Sequence, residues 1–163
     1  MIASEVMSGT VKVITPMTTL AEAASIMKQY DVGFLPVVDE DTHTTLVGVL
    51  TDRDLVVRGL ADHRTPDVAV RLAMSHPPLV TARESANVHE LVRLMERHQV
   101  RRIPILNKEG KLTGIVSQGD LALRIGPNDP EAIEALLERV SAPAWMLPFL
   151  DGAVLLPRVS QRT

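Results

Sequence analysis

The chain has 163 residues, a formal net charge of −3 and no cysteine, and 45% of its residues are hydrophobic although only 2% are aromatic. These figures exclude disulfide frameworks, thiol catalysis and cysteine-ligated zinc sites, and they give the surface no broad attraction for nucleic acid or anionic lipid. The sequence shows no secretory signal pattern and no apolar run long enough to span a bilayer, so we expect a cytoplasmic protein.

Taken in chain order, three blocks of the first half recur in the second half. They are Val6–Ser8 with Ala73–Ser75, Met27–Val38 with Met95–Leu106, and Leu46–Leu55 with Leu112–Leu121. The separation falls from 68 residues at the Pro36 block to 66 at the Gly48 block, because the first copy carries two extra loop residues near His43. We therefore divide the chain into repeat 1 (residues 1–62), repeat 2 (63–126) and a C-terminal region (127–163).

Each repeat predicts the same element order, β-α-β-β-α. For repeat 1 we expect a strand at Val11–Ile14, a helix capped by Thr19 with Glu22, strands at 33–38 and 46–50, and a second helix from Thr51. For repeat 2 we expect a strand at Leu79–Val80, a helix capped by Asn87 with Glu90, strands at 102–106 and 112–116, and a second helix from Ser117. The predicted fold class is α/β (α+β), with both helices of a repeat on one face of a small sheet.

Outside the repeated elements, two Pro-led segments predict helices. Thr65–Pro66 predicts a helix that runs to Met74, and Asp129–Pro130 predicts a last helix over Glu131–Val140, because each places a cap residue before a proline at the first helical position. The tail beyond Pro143 contains Trp145 and Phe149 and gives no clear structural signal.

The tandem repeat resembles a pair of CBS (cystathionine-β-synthase) domains. The resemblance is carried by Leu35–Val38 and Ile103–Leu106, by Gly48–Asp54 and Gly114–Asp120, and by the strand-end residues Thr15 and Thr81, and it covers residues 2 to about 126. It implies two repeats packed sheet against sheet about a pseudo-twofold axis, with two clefts between them. Members of the family hold AMP, ADP, ATP, S-adenosylmethionine or related adenosyl ligands in such clefts.

The motifs Thr51–Asp54 and Ser117–Asp120 are the most specific candidates for ligand binding in the sequence. One carboxylate can accept hydrogen bonds from both vicinal hydroxyls of a ribose, and a hydroxyl at a helix start lies beside backbone N–H groups that attract phosphate. The same spacing is also a helix-capping arrangement, and both roles can hold together.

For the first cleft, the resemblance implies that Thr51 and Asp54 hold the ribose and that Arg101 and Arg102 hold the phosphates. An arginine pair at a strand start is also typical of a solvated sheet edge. Backbone at the remaining first-cleft residues would flank the adenine: Ile14, Thr15, Phe34, Leu35 and Pro36.

For the second cleft, the resemblance implies Ser117 and Asp120 at the ribose. The residues around the base would be Val80, Thr81, Ile103 and Pro104. Its phosphate position, Gly33–Phe34, is not basic, although Arg53 lies one helical step past Thr51 and is a further candidate for ligand binding. We therefore expect the first cleft to be preferred and the second to be weaker or empty.

The expected function is that of a stand-alone regulatory module that senses an adenine nucleotide (AMP, ADP or ATP), with S-adenosylmethionine as a further candidate, and signals by conformational change. We expect a homodimer, no metal site, and no nucleic-acid or membrane partner. We also expect no catalytic site, since residues 127–163 are too few for a catalytic domain. The alternative is a ligand-free module for oligomerisation or partner interaction, indicated by the apolar tail segment Trp145–Leu150.

Overall fold

The computed structural model describes residues 1–143. The elements before the second repeat are α1 (Ala3–Val6), α2 (Leu20–Tyr30), β1 (Phe34–Val38), β2 (Leu46–Thr51) and α3 (Asp52–Asp54), which continues into a π-helix (Leu55–Leu60) and is followed by a 3-10 turn (Val70–Leu72). The later elements are β3 (Ala82–Arg83), α4 (Val88–His98), β4 (Arg102–Leu106), β5 (Leu112–Ser117), α5 (Gln118–Ile125) and α6 (Pro130–Ser141).

Each repeat is built on an antiparallel strand pair, and the two pairs have the same register. Phe34 of β1 lies opposite Thr51 of β2, and Arg102 of β4 lies opposite Ser117 of β5. Both pairs also shift register at the same place, after Val37 and after the equivalent Ile105. The matched registers confirm the internal repeat and the mixed α+β fold.

The helices cover these strand pairs to form two hydrophobic cores. In the first core, the apolar stripe of α2 packs on β1 and β2, with Leu35 and Leu50 fully buried. In the second, α4 and α5 pack on β4 and β5, and α6 adds Leu136, which is also fully buried. Burial of a large aliphatic side chain stabilises a fold by about 1.5–3 kcal/mol, so these positions hold each repeat together.

The segment that leads into each repeat packs on the core of the other repeat. We call residues 1–8 and 66–75 the lead-in segments. Ala3 and Val6 belong to the second core, whereas Val70 and Met74 belong to the first. The lead-in segments therefore bind the two repeats to each other.

The exchange also satisfies the first amide groups of α2 and α4. The Leu20 N–H donates to the Val68 carbonyl at 2.9 Å, and the Val88 N–H donates to the Met1 carbonyl at 3.2 Å. The first N–H groups of a helix have no partner inside the helix, so each lead-in segment caps a helix of the opposite repeat.

Two equivalent glycines let the lead-in segments approach the sheets closely. A Cβ on Gly48 would lie 2.7 Å from the Met74 Sδ, and a Cβ on Gly114 would lie 2.5 Å from the Met7 Sδ. Any side chain at either position would displace a methionine that fills the same place in the two repeats.

Two pairs of equivalent residues contact each other and so mark the pseudo-twofold axis. The Arg102 guanidinium lies 6.0 Å from the centre of the Phe34 ring, and Phe34 and Arg102 occupy the same position in β1 and β4. Thr45 and Lys111, which precede β2 and β5, form a single antiparallel bridge. A residue meets its own counterpart only beside the symmetry axis, so the axis passes close to both pairs.

The hairpin loops of the two repeats are stabilised by one side chain at the same position. In repeat 1, Asp39 accepts hydrogen bonds from the N–H groups of Thr42 at 2.8 Å and Thr45 at 2.9 Å. In repeat 2, Asn107 accepts from Glu109 at 3.0 Å and Lys111 at 2.9 Å. The backbone N–H and hydroxyl of Thr42 hold the pKa of Asp39 well below its usual range.

Two expected strands differ from the structure. The strand expected at Val11–Ile14 is reduced to a single parallel bridge between Ile14 and Val37. The strand expected at Leu79–Val80 lies instead at Ala82–Arg83, where Ala82 pairs with Ile105. Ile14 and Ala82 are therefore equivalent residues, and each repeat has only a very short third strand.

The helix expected from Pro66 to Met74 is absent, and only the 3-10 turn at Val70–Leu72 forms. The carbonyls of Pro66 and Val68 accept hydrogen bonds from the N–H groups of Ala21 and Leu20. These carbonyls are then not available to an α-helix of their own, so capping of α2 wins over the local signal. The last helix was expected at Glu131–Val140 and is confirmed as α6. No helix within residues 1–143 is long and apolar enough to cross a membrane.

Candidate functional site

Both Ser/Thr-x-x-Asp motifs form complete capping boxes. The Thr51 N–H and hydroxyl donate to the Asp54 Oδ2 at 2.8 and 2.7 Å, and the Asp54 N–H donates back to the Thr51 Oγ1 at 3.1 Å. Ser117 and Asp120 repeat this arrangement at 2.7, 2.7 and 3.1 Å. Each box fixes one carboxylate oxygen at a helix start and leaves the other oxygen, Oδ1, outside it.

The Oδ1 atoms of the two carboxylates have different surroundings. The Arg58 Nη1 lies 3.4 Å from the Asp54 Oδ1, and the Asp54 side chain is only 14% exposed. The same Nη1 donates to the Ala73 carbonyl at 3.2 Å and to the Ser75 Oγ at 3.1 Å. Within residues 1–143, no ion pair reaches Asp120.

The helix after each motif also differs. Arg58 lies in the π-helix at Leu55–Leu60, where the Ala61 N–H donates to the Val56 carbonyl five residues earlier at 2.9 Å. The equivalent helix α5 is a regular α-helix. Short π-helical turns are frequent at functional sites, so the widened turn sets the first motif apart from the second.

The structure brings the expected base-binding residues of the first cleft next to Thr51. Ile14 donates to the Pro36 carbonyl at 3.1 Å, and Phe34 pairs with Thr51 across the strands. The side chains of Ile14 and Leu35 are buried in the first core, so only their backbone is available to a ligand. Thr15 and Phe34 are half-buried, and Pro36 is buried.

Of the three arginines expected to contact the ligand, Arg102 is the one that contacts the opposite repeat. Its guanidinium lies beside Phe34, which is opposite Thr51. Arg101 is exposed, and its carbonyl accepts from the Gln118 N–H at 2.9 Å. Arg53 is exposed one residue before Asp54. Within residues 1–143, no ion pair joins Arg101 or Arg53 to either carboxylate.

Two of the residues expected around the second cleft lie in β4, which pairs with β5. Pro104 lies opposite Ile115, and Ile103 lies opposite Val116 with its side chain fully buried in the second core. Val80 and Thr81 are half-buried and precede β3.

The strand pairing corrects one expected correspondence between the clefts. Because Ala82 is equivalent to Ile14, the residue equivalent to Thr15 is Arg83 rather than Thr81. Arg83 is exposed and donates to the carbonyls of Asn107 and Lys108. Its guanidinium is therefore directed to the hairpin loop of its own repeat.

Two residues near the motifs were not expected from the sequence. Arg58 contacts Asp54, and its spacing of four residues on a helix is a signal for an ion pair. Gln118, which follows Ser117, has a buried Oε1 with no hydrogen-bond donor among the described residues. Buried acceptors without a partner are rare, and no sequence pattern predicts this one.

Other features of residues 1–143 lie away from the two clefts. A groove of about 560 Å³ between α4 and α6 is lined by charged side chains that include Arg93, Arg97 and Glu90, and a shallower groove of about 510 Å³ follows α2. No group of three His, Asp or Glu residues in this range is arranged to hold a metal ion. Neither groove contains Asp54 or Asp120.

Both repeats match a known protein family. The family model of the CBS domain matches residues 3–59 and 69–126. Protein YlbB of Bacillus subtilis, an uncharacterized protein, is 45% identical over 125 residues, which are 77% of this chain and 82% of that protein. Hypoxic response protein 1 of Mycobacterium tuberculosis is 36% identical over 120 residues, or 74% of this chain and 82% of its own length.

A solved structure adds a bound ligand to this comparison. The CBS domain protein PAE2072 from Pyrobaculum aerophilum, complexed with AMP, is 25% identical with a TM-score of 0.70. The match covers 87% of this chain and all of that one, 100%. The similarity therefore extends over both repeats together.

Proposed function

This chain belongs to the CBS domain family, and from that premise we propose that it is a regulatory module that binds an adenine nucleotide between its repeats. The observation that carries the proposal is the pair of capping boxes, each of which holds an aspartate at a helix start with its Oδ1 outside the box. The similarity to a CBS domain protein complexed with AMP supports the same ligand class.

In the proposed first cleft, Asp54 and Thr51 hold the ribose and the backbone of Ile14, Thr15 and 34–36 flanks the base. Arg102 supports the phosphate end because its guanidinium already lies beside Phe34 at the rim. Arg101 and Arg53 are exposed and charged, and they are the further candidates for phosphate contacts.

The proposed second cleft uses Asp120 and Ser117 for the ribose, with Val80, Thr81 and 103–104 around the base. At the position equivalent to Arg102 it has Phe34, which offers no charge to a phosphate. We therefore rank this cleft second for AMP, ADP or ATP. A ligand without phosphates, such as S-adenosylmethionine, suits it better.

A nucleotide in the first cleft would contact residues of both repeats, which is how binding becomes a signal. Ligand that prefers one relative packing of the repeats shifts the population toward that packing. Because Arg102 belongs to repeat 2 and Asp54 to repeat 1, the ligand bridges the pseudo-twofold axis. We propose no catalytic step for this chain.

We propose that the module acts as a cytoplasmic homodimer. The helices that follow the two capping motifs expose apolar side chains, with Leu60 at 70% and Leu123 at 79%. Such side chains on equivalent helices are suited to an isologous contact between two copies. The C-terminal aromatic residues Trp145 and Phe149 lie outside the described residues, and a role for this tail in partner binding stays a prediction.

The alternative function is a ligand-free interaction module, and it is supported by the same exposed apolar side chains. The two functions separate in a thermal-shift panel of AMP, ADP, ATP, S-adenosylmethionine, NADH and a cyclic dinucleotide, followed by calorimetry. A true ligand at about 100 times its Kd stabilises the folded state by roughly 2.7 kcal/mol. We expect AMP, ADP or ATP to raise the Tm, and no shift with any compound would leave only the alternative.

A further inference from the structure

The ion pair between Arg58 and Asp54 is the strongest difference between the two candidate clefts. The resemblance assigned no ligand role to Arg58. Its Nη1 lies 3.4 Å from the Asp54 Oδ1, the carboxylate oxygen that a ribose would need. We propose that Arg58 is a positioning residue that competes with the ribose for Asp54, so that ligand binding in the first cleft displaces it. This inference rests on the proposed function of Asp54.

The hydrogen-bonding capacity of the carboxylate supports the competition. A carboxylate offers about four acceptor sites, two on each oxygen. The Asp54 Oδ2 already accepts from the N–H and the hydroxyl of Thr51. The Arg58 Nη1 lies 3.4 Å from Oδ1 as an ion pair, while its hydrogen bonds go to Ala73 and Ser75. A ribose that presents two vicinal hydroxyls to Oδ1 must approach through the space beside this guanidinium, so we expect Arg58 to move away when the ribose binds.

The equivalent site in repeat 2 has no such competitor. Arg124 follows Asp120 at the same spacing of four residues but is exposed and makes no ion pair with it within residues 1–143. A ribose can therefore approach the Asp120 Oδ1 without displacing an ion-paired side chain of residues 1–143. Arg124 is the natural control for every experiment on Arg58.

Displacement of Arg58 would also act on the chain between the repeats. Its Nη1 is shared by Asp54, the Ala73 carbonyl and the Ser75 Oγ. Ala73 and Ser75 belong to the lead-in segment, and Ser75 forms an antiparallel bridge with Val49 of β2. Movement of the guanidinium away from Asp54 would disturb its hydrogen bonds to Ala73 and Ser75, which links occupancy of the first cleft to this segment.

The test is AMP calorimetry in an Asp120→Asn background, which leaves the first cleft as the measured site. Asparagine at this position retains an oxygen to accept from Ser117 but loses the second acceptor oxygen. In that background, Arg58→Gln should tighten AMP binding about three- to tenfold, and Arg58→Lys should have a smaller effect in the same direction. Arg124→Gln should leave the affinity unchanged.

A second measurement is made on the natural sequence, and a variant is needed only to assign the signal. In protein labelled with ¹⁵N-arginine, saturating AMP should move the Arg58 Nε–Hε signal, assigned from its loss in Arg58→Lys, and leave the Arg124 signal in place. An unchanged Arg58 signal would overturn the displacement.

The outcomes separate the two proposals. If AMP binds the natural protein but binds Arg58→Gln equally or more weakly, the proposed competition between Arg58 and the ribose is wrong and the proposed function stands. Weaker binding would identify Arg58 as a ligand contact instead. Absence of binding to any adenosyl compound in the natural protein overturns the proposed function and this inference with it.

Discussion

The two repeats share one capping geometry and differ in the charges placed around it. In repeat 1, Asp54 is paired with Arg58, and Arg102 approaches from the other repeat. In repeat 2, Asp120 has no ion-pair partner within residues 1–143. The residue of repeat 1 that is equivalent to Arg102 is Phe34, which carries no charge. A duplicated backbone therefore carries different charges around its two capping motifs. The comparison teaches that the repeats keep one scaffold, while the basic side chains that the proposed function needs for a phosphate lie at only one copy.

The largest expected effect comes from the aspartates themselves. We expect Asp54→Asn to weaken AMP binding about 10- to 100-fold, because a hydrogen bond to a charged group contributes roughly 1.5–3 kcal/mol. The equivalent Asp120→Asn should change the AMP affinity by less than about twofold, because we rank the cleft at Asp120 second for AMP. Calorimetry with AMP measures both variants, and near-identical circular dichroism spectra serve as the control for folding. A larger effect at Asp120 would reverse the ranking of the clefts.

The next effect tests the glycines at which the repeats are most alike. We expect Gly48→Ala and Gly114→Ala each to lower the free energy of unfolding by about 1–3 kcal/mol, because the new Cβ would overlap a methionine, which is buried at Met74 and partly buried at Met7. Gly114→Ala should cost more, since its Cβ would lie 2.5 Å from the Met7 Sδ and 2.9 Å from the Met7 Cγ.

The matched control for these glycines is Gly9→Ala. A Cβ at Gly9 meets no atom within 4 Å, so the substitution should change stability by less than about 0.5 kcal/mol. Urea denaturation of the three variants gives the comparison. Equal, small changes in all three would show that the lead-in segments move aside easily.

The smallest effect concerns the loops, where repeat 1 has Asp39 and repeat 2 has Asn107. The pKa of Asp39 in the folded state is lowered by the Thr42 N–H and hydroxyl. Its contribution to stability is then fully present above the usual aspartate pKa of 3.8 and is lost as the pH falls through the lower folded-state value. Asp39→Asn should be slightly less stable than the natural protein at pH 7, and the difference should shrink in acid.

Two measurements check the loop prediction. Urea unfolding at pH 7, 5 and 3 follows the difference in stability, and an NMR titration of the Asp39 carboxyl carbon gives the midpoint directly. A midpoint at or above 3.8 would contradict the assigned hydrogen bonds. Asn107 provides the neutral reference because it accepts the same kind of loop N–H bonds without titrating.

The sequence predicted the parts of the fold that depend on local chemistry. The Thr19–Glu22 capping box and the boxes at Thr51 and Ser117 are all present, whereas Asn87 caps α4 by accepting from the His89 N–H and forms no box with Glu90. The long helices and paired strands lie where the apolar periodicity indicated. These features follow from spacings of three or four residues and from strand alternation, so neighbouring residues are enough to specify them.

The parts that depend on distant partners were not predicted. The signal for a helix at Pro66 is a real local preference, but the carbonyls of that segment serve α2, about 45 residues earlier in sequence. The ion pair at Arg58 shows the same limit. Asp54–Arg58 and Asp120–Arg124 have identical spacing, yet only the pair beside the π-helix forms among the described residues. Spacing alone therefore does not decide which arginine closes on its aspartate.

The exchange of lead-in segments has a consequence for how this protein folds. A single repeat expressed alone would lack the chain that caps its first helix and the methionine that covers its glycine. The pair is then the smallest unit expected to unfold in one cooperative transition. Its closing contacts join Met1 to Val88 and Val68 to Leu20, and such long-range contacts are typical of late steps in folding. A destabilising substitution in either repeat should therefore lower the stability of both repeats together.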